Sequence, residues 1–94
     1  DKKVMVDAVQ LIATEKNRVA LTLRDEGRQQ EAQKVLQDNV MFLDKNYRRW
    51  GSSSLKDLSI SNEEDSKNLA PSKWNRQRKK MRRTQYKFEM QQSY

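Results

Sequence analysis

Residues 24–32 read RDEGRQQEA, and this short stretch decides the fold. Gly27 is the only glycine in the first fifty residues. It follows a long periodic segment, at the place where a left-handed helix cap favours a residue without a Cβ. Upstream, Met5, Ala8, Val9, Ile12, Val19 and Leu23 recur at helical spacing, with Val4, Leu11, Ala20 and Leu21 widening the stripe. Lys16 falls on the same stripe, where its aliphatic stem can reach outward. The spacing predicts a first helix from about Lys2 to Arg24, closing near Asp25 or Glu26. Downstream, Ala32, Val35, Leu36, Val40, Leu43, Tyr47 and Trp50 form a second stripe, flanked by Met41 and Phe42 and stopped by Gly51 and Ser52–Ser54. A connection of a few residues between two helices of this length predicts an antiparallel hairpin over 1–50.

Residues 51–71 change character. Serine, asparagine and acids dominate, with Leu55, Leu58, Ile60 and Leu69 interspersed. We expect a mostly irregular connector pinned by these four side chains. Ser54 is expected to start one helical turn. Ser61, followed by Glu63, Glu64 and Asp65, predicts a short helix at 62–69 with acids in its first turn, ended by Pro71. Ser72 is the expected N-cap of a last helix running from about Lys73 to Gln92 within a C-terminal segment 72–94. On it Trp74, Met81 and Phe88 fall seven apart, and Tyr86, Met90 and Tyr94 form a thinner line at spacing four. No segment alternates long enough to read as a strand. The fold class is all-α: a long helical hairpin, a connector and a third, basic helix, in a chain expected to dimerise or to pack on a larger parent.

Composition bounds the function. The chain has 94 residues, 34% hydrophobic and 35% charged, against about 45–50% apolar and 25% charged in typical domains. A core this small is marginal alone, which points to self-association or to a partner. The chain opens on Asp1 rather than Met, as expected of a piece of a longer protein. Neither cysteine nor histidine occurs, which excludes disulfides, thiolate metal sites and imidazole catalysis. Absent cysteines fit cytosol and periplasm alike, with the cytoplasm slightly favoured. No apolar run approaches the roughly 20 residues that span a bilayer.

Charge is unevenly placed. Residues 1–71 hold twelve cations and twelve acids, and the net +7 resides in 72–94. There Lys73, Arg76, Arg78, Lys79, Lys80, Arg82, Arg83 and Lys87 face only Glu89.

The segment AVQLIATEKNRVALTLRDEGRQQEAQKVLQDNVMFLDKN, with Ala20, Leu21, Leu23, Asp25, Gly27, Ala32 and Leu36 at its marker positions, resembles a known hairpin. It looks like the helical hairpin that follows the β-rich region in many bacterial proteins carrying a von Willebrand factor type A domain. The resemblance covers residues 4–46 and implies a C-terminal appendage of a larger protein-interaction module. That family's metal site uses a DxSxS motif, which is absent here, so no metal residue is carried over.

The carboxylates Asp25, Glu26 and Glu31, and the group Glu63–Asp65, read as solvated surface rather than as acid–base pairs. The chain is therefore read as non-catalytic and without cofactor or metal. Its function is read as protein–protein interaction or assembly, with itself or with a missing parent domain as partner. The candidate contact residues are Trp74, Arg78, Met81, Arg82, Tyr86 and Phe88. The alternative is nucleic-acid binding through Arg76, Arg78, Lys79, Lys80, Arg82 and Arg83, with Trp74 and Tyr86 stacking on bases. Against it, cations at 100° per residue surround most of a helix instead of filling one side. A membrane-surface reading is weaker, because Trp74, Met81 and Phe88 give one apolar residue per two turns.

Overall fold

The structure, a computed structural model, describes residues 1–91, with the side chains of all of these except 71, 72 and 91. The expected helix end at Gln92 and the aromatic at Tyr94 lie outside the described residues. Four helices and no strand occur among the described residues: α1 (Lys2–Asp25), α2 (Gln29–Trp50), α3 (Ser53–Lys67) and α4 (Pro71–Gln91). The chain is all-α.

The two glycines set the corners. Gly27 has φ 82° and Gly51 φ 68°, the left-handed region that excludes most side chains. At the first corner Arg28 N–H donates to Leu23 O at 2.9 Å and Gly27 N–H to Arg24 O at 3.0 Å. This paired pattern satisfies the last carbonyls of α1 and turns the chain back. At the end of α2 a single bond does this work: Gly51 N–H donates to Tyr47 O at 2.7 Å.

Short links between helices force neighbours to run in opposite directions, and the polar contacts follow that rule. Asn39 on α2 meets Ala13 and Asn17 on α1. Ser59 and Ser66 on α3 meet Asp44 and Gln33 on α2. Gln85, Arg78 and Arg82 on α4 meet Thr14 and Asp25 on α1. The result is an up–down–up–down four-helix bundle.

Three expectations for the middle of the chain are corrected. Residues 51–71 are not a mostly irregular connector, because 53–67 form α3. Leu55, Leu58, Ser59, Asn62, Asp65 and Ser66 are buried along one side of α3. That burial outweighs the low helix propensity of serine and asparagine. Glu63, Glu64 and Asp65 consequently lie in the last turns of α3 and not in a first turn. Pro71 opens α4, where its missing N–H costs nothing, so that Ser72 lies within the helix rather than ahead of it.

The core is divided along its length. Ala20, Leu21, Ala32, Leu36, Leu69, Trp74 and Met81 pack near the α1–α2 corner. Val6, Val9, Ala13, Leu43, Leu55 and Leu58 pack near the other end, with Phe42, Tyr47, Trp50 and Phe88 against them. Between the two lie buried amides, one from each helix: Asn17, Asn39, Asn62 and Gln85. Asn39 Nδ2 donates to Ala13 O at 3.1 Å and to Asn17 Oδ1 at 3.3 Å, and Gln85 Nε2 donates to Thr14 O at 2.9 Å. The Ser59–Asp44 and Gln33–Ser66 contacts set the register that brings Asn62 level with Asn39.

The first helix shows one further correction. Its bundle-facing side is Val6, Val9, Ala13, Thr14, Asn17, Ala20 and Leu21. Of the stripe expected to form the core, Met5, Ala8, Ile12 and Val19 are turned the other way with Val4 and Leu11, while Val9, Ala20 and Leu21 are buried and Leu23 is half-buried. Ala13, Ala20 and Ala32 are essentially inaccessible, and small side chains there let α1 and α2 approach closely.

Candidate interaction surfaces

Two surfaces stand out once the bundle is assembled, one on α1 and one on α4. Both arise because a helix inside a bundle presents a side that no other described element covers.

On α1, Val4, Met5, Leu11, Ile12 and Val19 are each 42–61% exposed. At 100° per residue these side chains, with Ala8, share one side of the helix, opposite the buried Ala13 and Asn17. Large apolar residues scattered singly over a surface need no explanation, but a contiguous row along a single helix does. The row is bordered by Asp7 and Arg18 on one flank and by Lys16 on the other. Lys16 Nζ lies 3.9 Å from the centroid of the Phe42 ring, so the stem that the sequence places on the stripe bends back onto α2.

On α4 the predicted contact residues separate into two groups. Trp74 and Met81 are only 7% and 4% exposed and pack against Ala20, Leu21 and Leu36 of their own chain. Phe88 is half-buried against the second core cluster. These three anchors are thus occupied within the bundle, and Trp74 and Met81 present no surface to a partner. Arg24 holds this corner from α1: its Nε donates to Leu69 O at 2.8 Å, and its guanidinium lies 5.1 Å from the Trp74 ring centroid.

Arg78 and Arg82 reach α1, where both bind Asp25 at 2.8 and 3.1 Å. The hydrogen bond from Arg78 is the main reason that the Asp25 carboxyl sits below its ordinary pKa, and the same bond raises Arg78. Lys80 Nζ binds Glu64 of α3 at 2.7 Å. Near the other end Arg18 pairs with Glu89, whose carboxyl is lowered chiefly by that bond and also by Gln85.

Removing these paired cations leaves Lys73, Arg76, Lys79, Arg83 and Lys87 without an ion pair among the described residues. At helical spacing they lie together on the outer side of α4, with Tyr86, which is 65% exposed. Assembly of the bundle therefore sorts charges that surround the isolated helix into an inner, neutralised set and an outer, basic one.

The carboxylates do not converge. Asp65 is 4% exposed and accepts a hydrogen bond from Gln77 Nε2. Burial pushes its carboxyl up to about 6, against the opposing pull of Gln77 and Lys80. Glu63 pairs with Lys67 and Glu64 with Lys80, so each acid of the group points to a different partner. Among the described residues no group of three or more ligating side chains comes together at a metal-binding spacing. Among the described residues no helix is long and apolar enough to cross a membrane.

The sequence names the α1 side chains but assigns them to the core. A signal was present: Ala13, Asn17 and Ala20 define a second, smaller-residue side that is better suited to close helix packing. The chain matches no known protein family, no characterised protein and no solved structure.

Proposed function

We propose that this chain is a non-catalytic helical assembly module and that the outward side of α1 is its docking surface. The observation that carries this reading is the row Val4, Met5, Leu11, Ile12 and Val19, open to solvent on a helix whose opposite side already fills the bundle. Leaving such a row in water forgoes roughly 25 cal/mol for each Å² of apolar surface that a partner would cover. On the resemblance of residues 4–46 to the hairpin of bacterial von Willebrand factor type A proteins, the module belongs to the C-terminal part of such a protein. A DxSxS motif encoded upstream of the chain is expected on that basis.

The chain has no cysteine, so a single engineered thiol reports on one position. Ile12→Cys in the producing cell is expected to resist a maleimide until the protein is denatured, while the exposed control Gln37→Cys reacts at once. Equal labelling of the two would end the docking reading.

A second reading rests on the outer side of α4. Arg76, Lys79, Arg83 and Lys87, beside the exposed Tyr86, suit a nucleic-acid backbone with one stacking contact. This reading requires retention of single-stranded DNA or RNA at low salt that falls steeply as salt is added. It also requires that Arg76→Gln with Lys79→Gln and Arg83→Gln flatten that salt dependence. No retention at low salt would remove it.

A further inference from the structure

The α1 row has a regular spacing. Met5, Ala8, Ile12, Glu15, Val19 and Thr22 alternate in steps of three and four, and all are exposed. That is a heptad seam, with β-branched Ile12 and Val19 at one repeat position and Ala8, Glu15 and Thr22 at the other. Val4 and Leu11 widen it on one edge. A seam of this kind fits another helix with the same repeat, and α1 itself supplies one.

Charge fixes the direction. Asp7 and Arg18 lie eleven positions apart on the same flank of the row, one acidic and one basic, on either side of Ile12. A twofold axis perpendicular to α1 near Ile12 brings Asp7 of each copy beside Arg18 of the other. A parallel arrangement would instead turn this flank of each copy toward the opposite, Lys16 flank of the other, so that Asp7 and Arg18 would not meet. The antiparallel register also places Met5 and Val4 against Val19 of the second copy, and Ile12 against its own counterpart. Ala8 falls opposite Glu15, where its small side chain leaves room for the longer one.

Glu15 is the polar residue in the seam, and its carboxylate already lies 3.5 Å from Arg18 of its own chain. A charged seam position of this kind selects one register at some cost in affinity. The side of α1 that would be covered points away from α2 and α4, so two bundles can meet there without rearrangement.

We propose that the occupant of this docking surface is a second copy of the chain, paired antiparallel through α1 about a twofold axis at Ile12. This deepens the docking reading and rests on it. The two are separable, because a surface protected in the cell but open in the pure protein would leave docking standing and remove self-pairing.

The test combines mass and position. Sedimentation equilibrium of the purified chain is expected to give a concentration-dependent monomer–dimer equilibrium. Ile12→Glu is expected to weaken it by on the order of thirtyfold, the effect of losing a strong contact residue. The circular dichroism of the variant is expected to be unchanged, because Ile12 touches no core cluster. Under mild oxidation Ile12→Cys is expected to form an intermolecular disulfide. Val19→Cys alone is not, although mixed Met5→Cys and Val19→Cys chains are expected to cross-link. A purely monomeric mass at the highest soluble concentration would overturn the proposal. Cross-linking of Val19→Cys to itself as fast as Ile12→Cys would also overturn it, since that marks a parallel or unspecific contact.

Discussion

Asn39 bridges to Asn17 at 3.3 Å across the α1–α2 interface, between the two apolar clusters of the core. The four amides are not equally satisfied. Asn39 Nδ2 makes two bonds, whereas Asn39 Oδ1, Gln85 Oε1 and both polar atoms of Asn62 have no hydrogen-bond partner among the described residues. Buried polar groups without partners are costly, and removing one partner of a made bond is costly too. Opposite effects are therefore expected at two neighbouring asparagines. Asn62→Leu should stabilise the bundle by about 1 kcal/mol, because it removes two unmet groups. Asn39→Leu should destabilise it by about 1–2 kcal/mol, because Asn17 Oδ1 loses its donor. Urea midpoints of the two variants check both signs.

Stability should rise on mild acidification. The Asp65 carboxyl, raised to about 6 by burial, holds its proton more tightly in the folded chain than in the unfolded one. Its contribution is full below the unfolded value of about 3.9 and is lost as pH climbs through 6, on the order of 2 kcal/mol in all. Asp25 and Glu89 act in the opposite sense. Their lowered carboxyls lend stability above the unfolded carboxylate range and lose it as pH falls through the native values. An optimum near pH 5 is expected. Asp65→Asn, which keeps an acceptor for Gln77, should flatten the decline between pH 5 and 7 and raise stability at pH 7. Thermal melts of both proteins across this range decide the matter.

The two corner glycines should respond alike to substitution. A Cβ at Gly27 or Gly51 would meet no atom within 4 Å, so only the backbone conformation resists a side chain. Gly27→Ala and Gly51→Ala are each expected to cost about 1 kcal/mol. Asparagine, which tolerates this region better, should cost less at either site. Chemical denaturation of the four variants provides the comparison.

Inner and outer apolar positions should differ sharply. Leu36 and Leu43 are fully buried, one in each half of the core. Truncating either to alanine is expected to cost about 2–5 kcal/mol. Ile12→Ser, on the open side of α1, should change the stability of the isolated monomer by less than about 0.5 kcal/mol. A large loss of monomer stability at Ile12 would mean that α1 is rotated from the orientation described.

Much of the architecture was legible in the residues, and the exceptions have physical causes. The first two helices and both glycine corners follow from periodicity and from the special backbone needs of Gly27 and Gly51. The third helix was hidden because Ser53, Ser54, Ser59, Ser61 and Ser66 are weak helix formers. Only burial of Leu55 and Leu58 against α2 reveals what holds it. Periodicity also finds apolar sides without saying which neighbour covers them. On α1 the larger side chains, Met5, Ile12 and Val19, give the stronger pattern, yet close packing selects Ala13 and Ala20. On α4 the seven-residue spacing of Trp74, Met81 and Phe88 identified the anchors. Which cations face inward depended on Asp25 and Glu64, acids far away along the chain.

The last helix is held differently from the other three. It meets α1 much less extensively than α2 meets α1 or α3, and its link to α3 runs largely through polar side chains, Gln77 to Asp65 and Lys80 to Glu64. Such a helix can peel from one neighbour without dismantling the hairpin and α3. In hydrogen exchange the amides of α4 should therefore trade with solvent well before those around Leu36 and Leu43. During synthesis the first three helices can settle as a unit, and α4 then locks over them by inserting Trp74 and Met81.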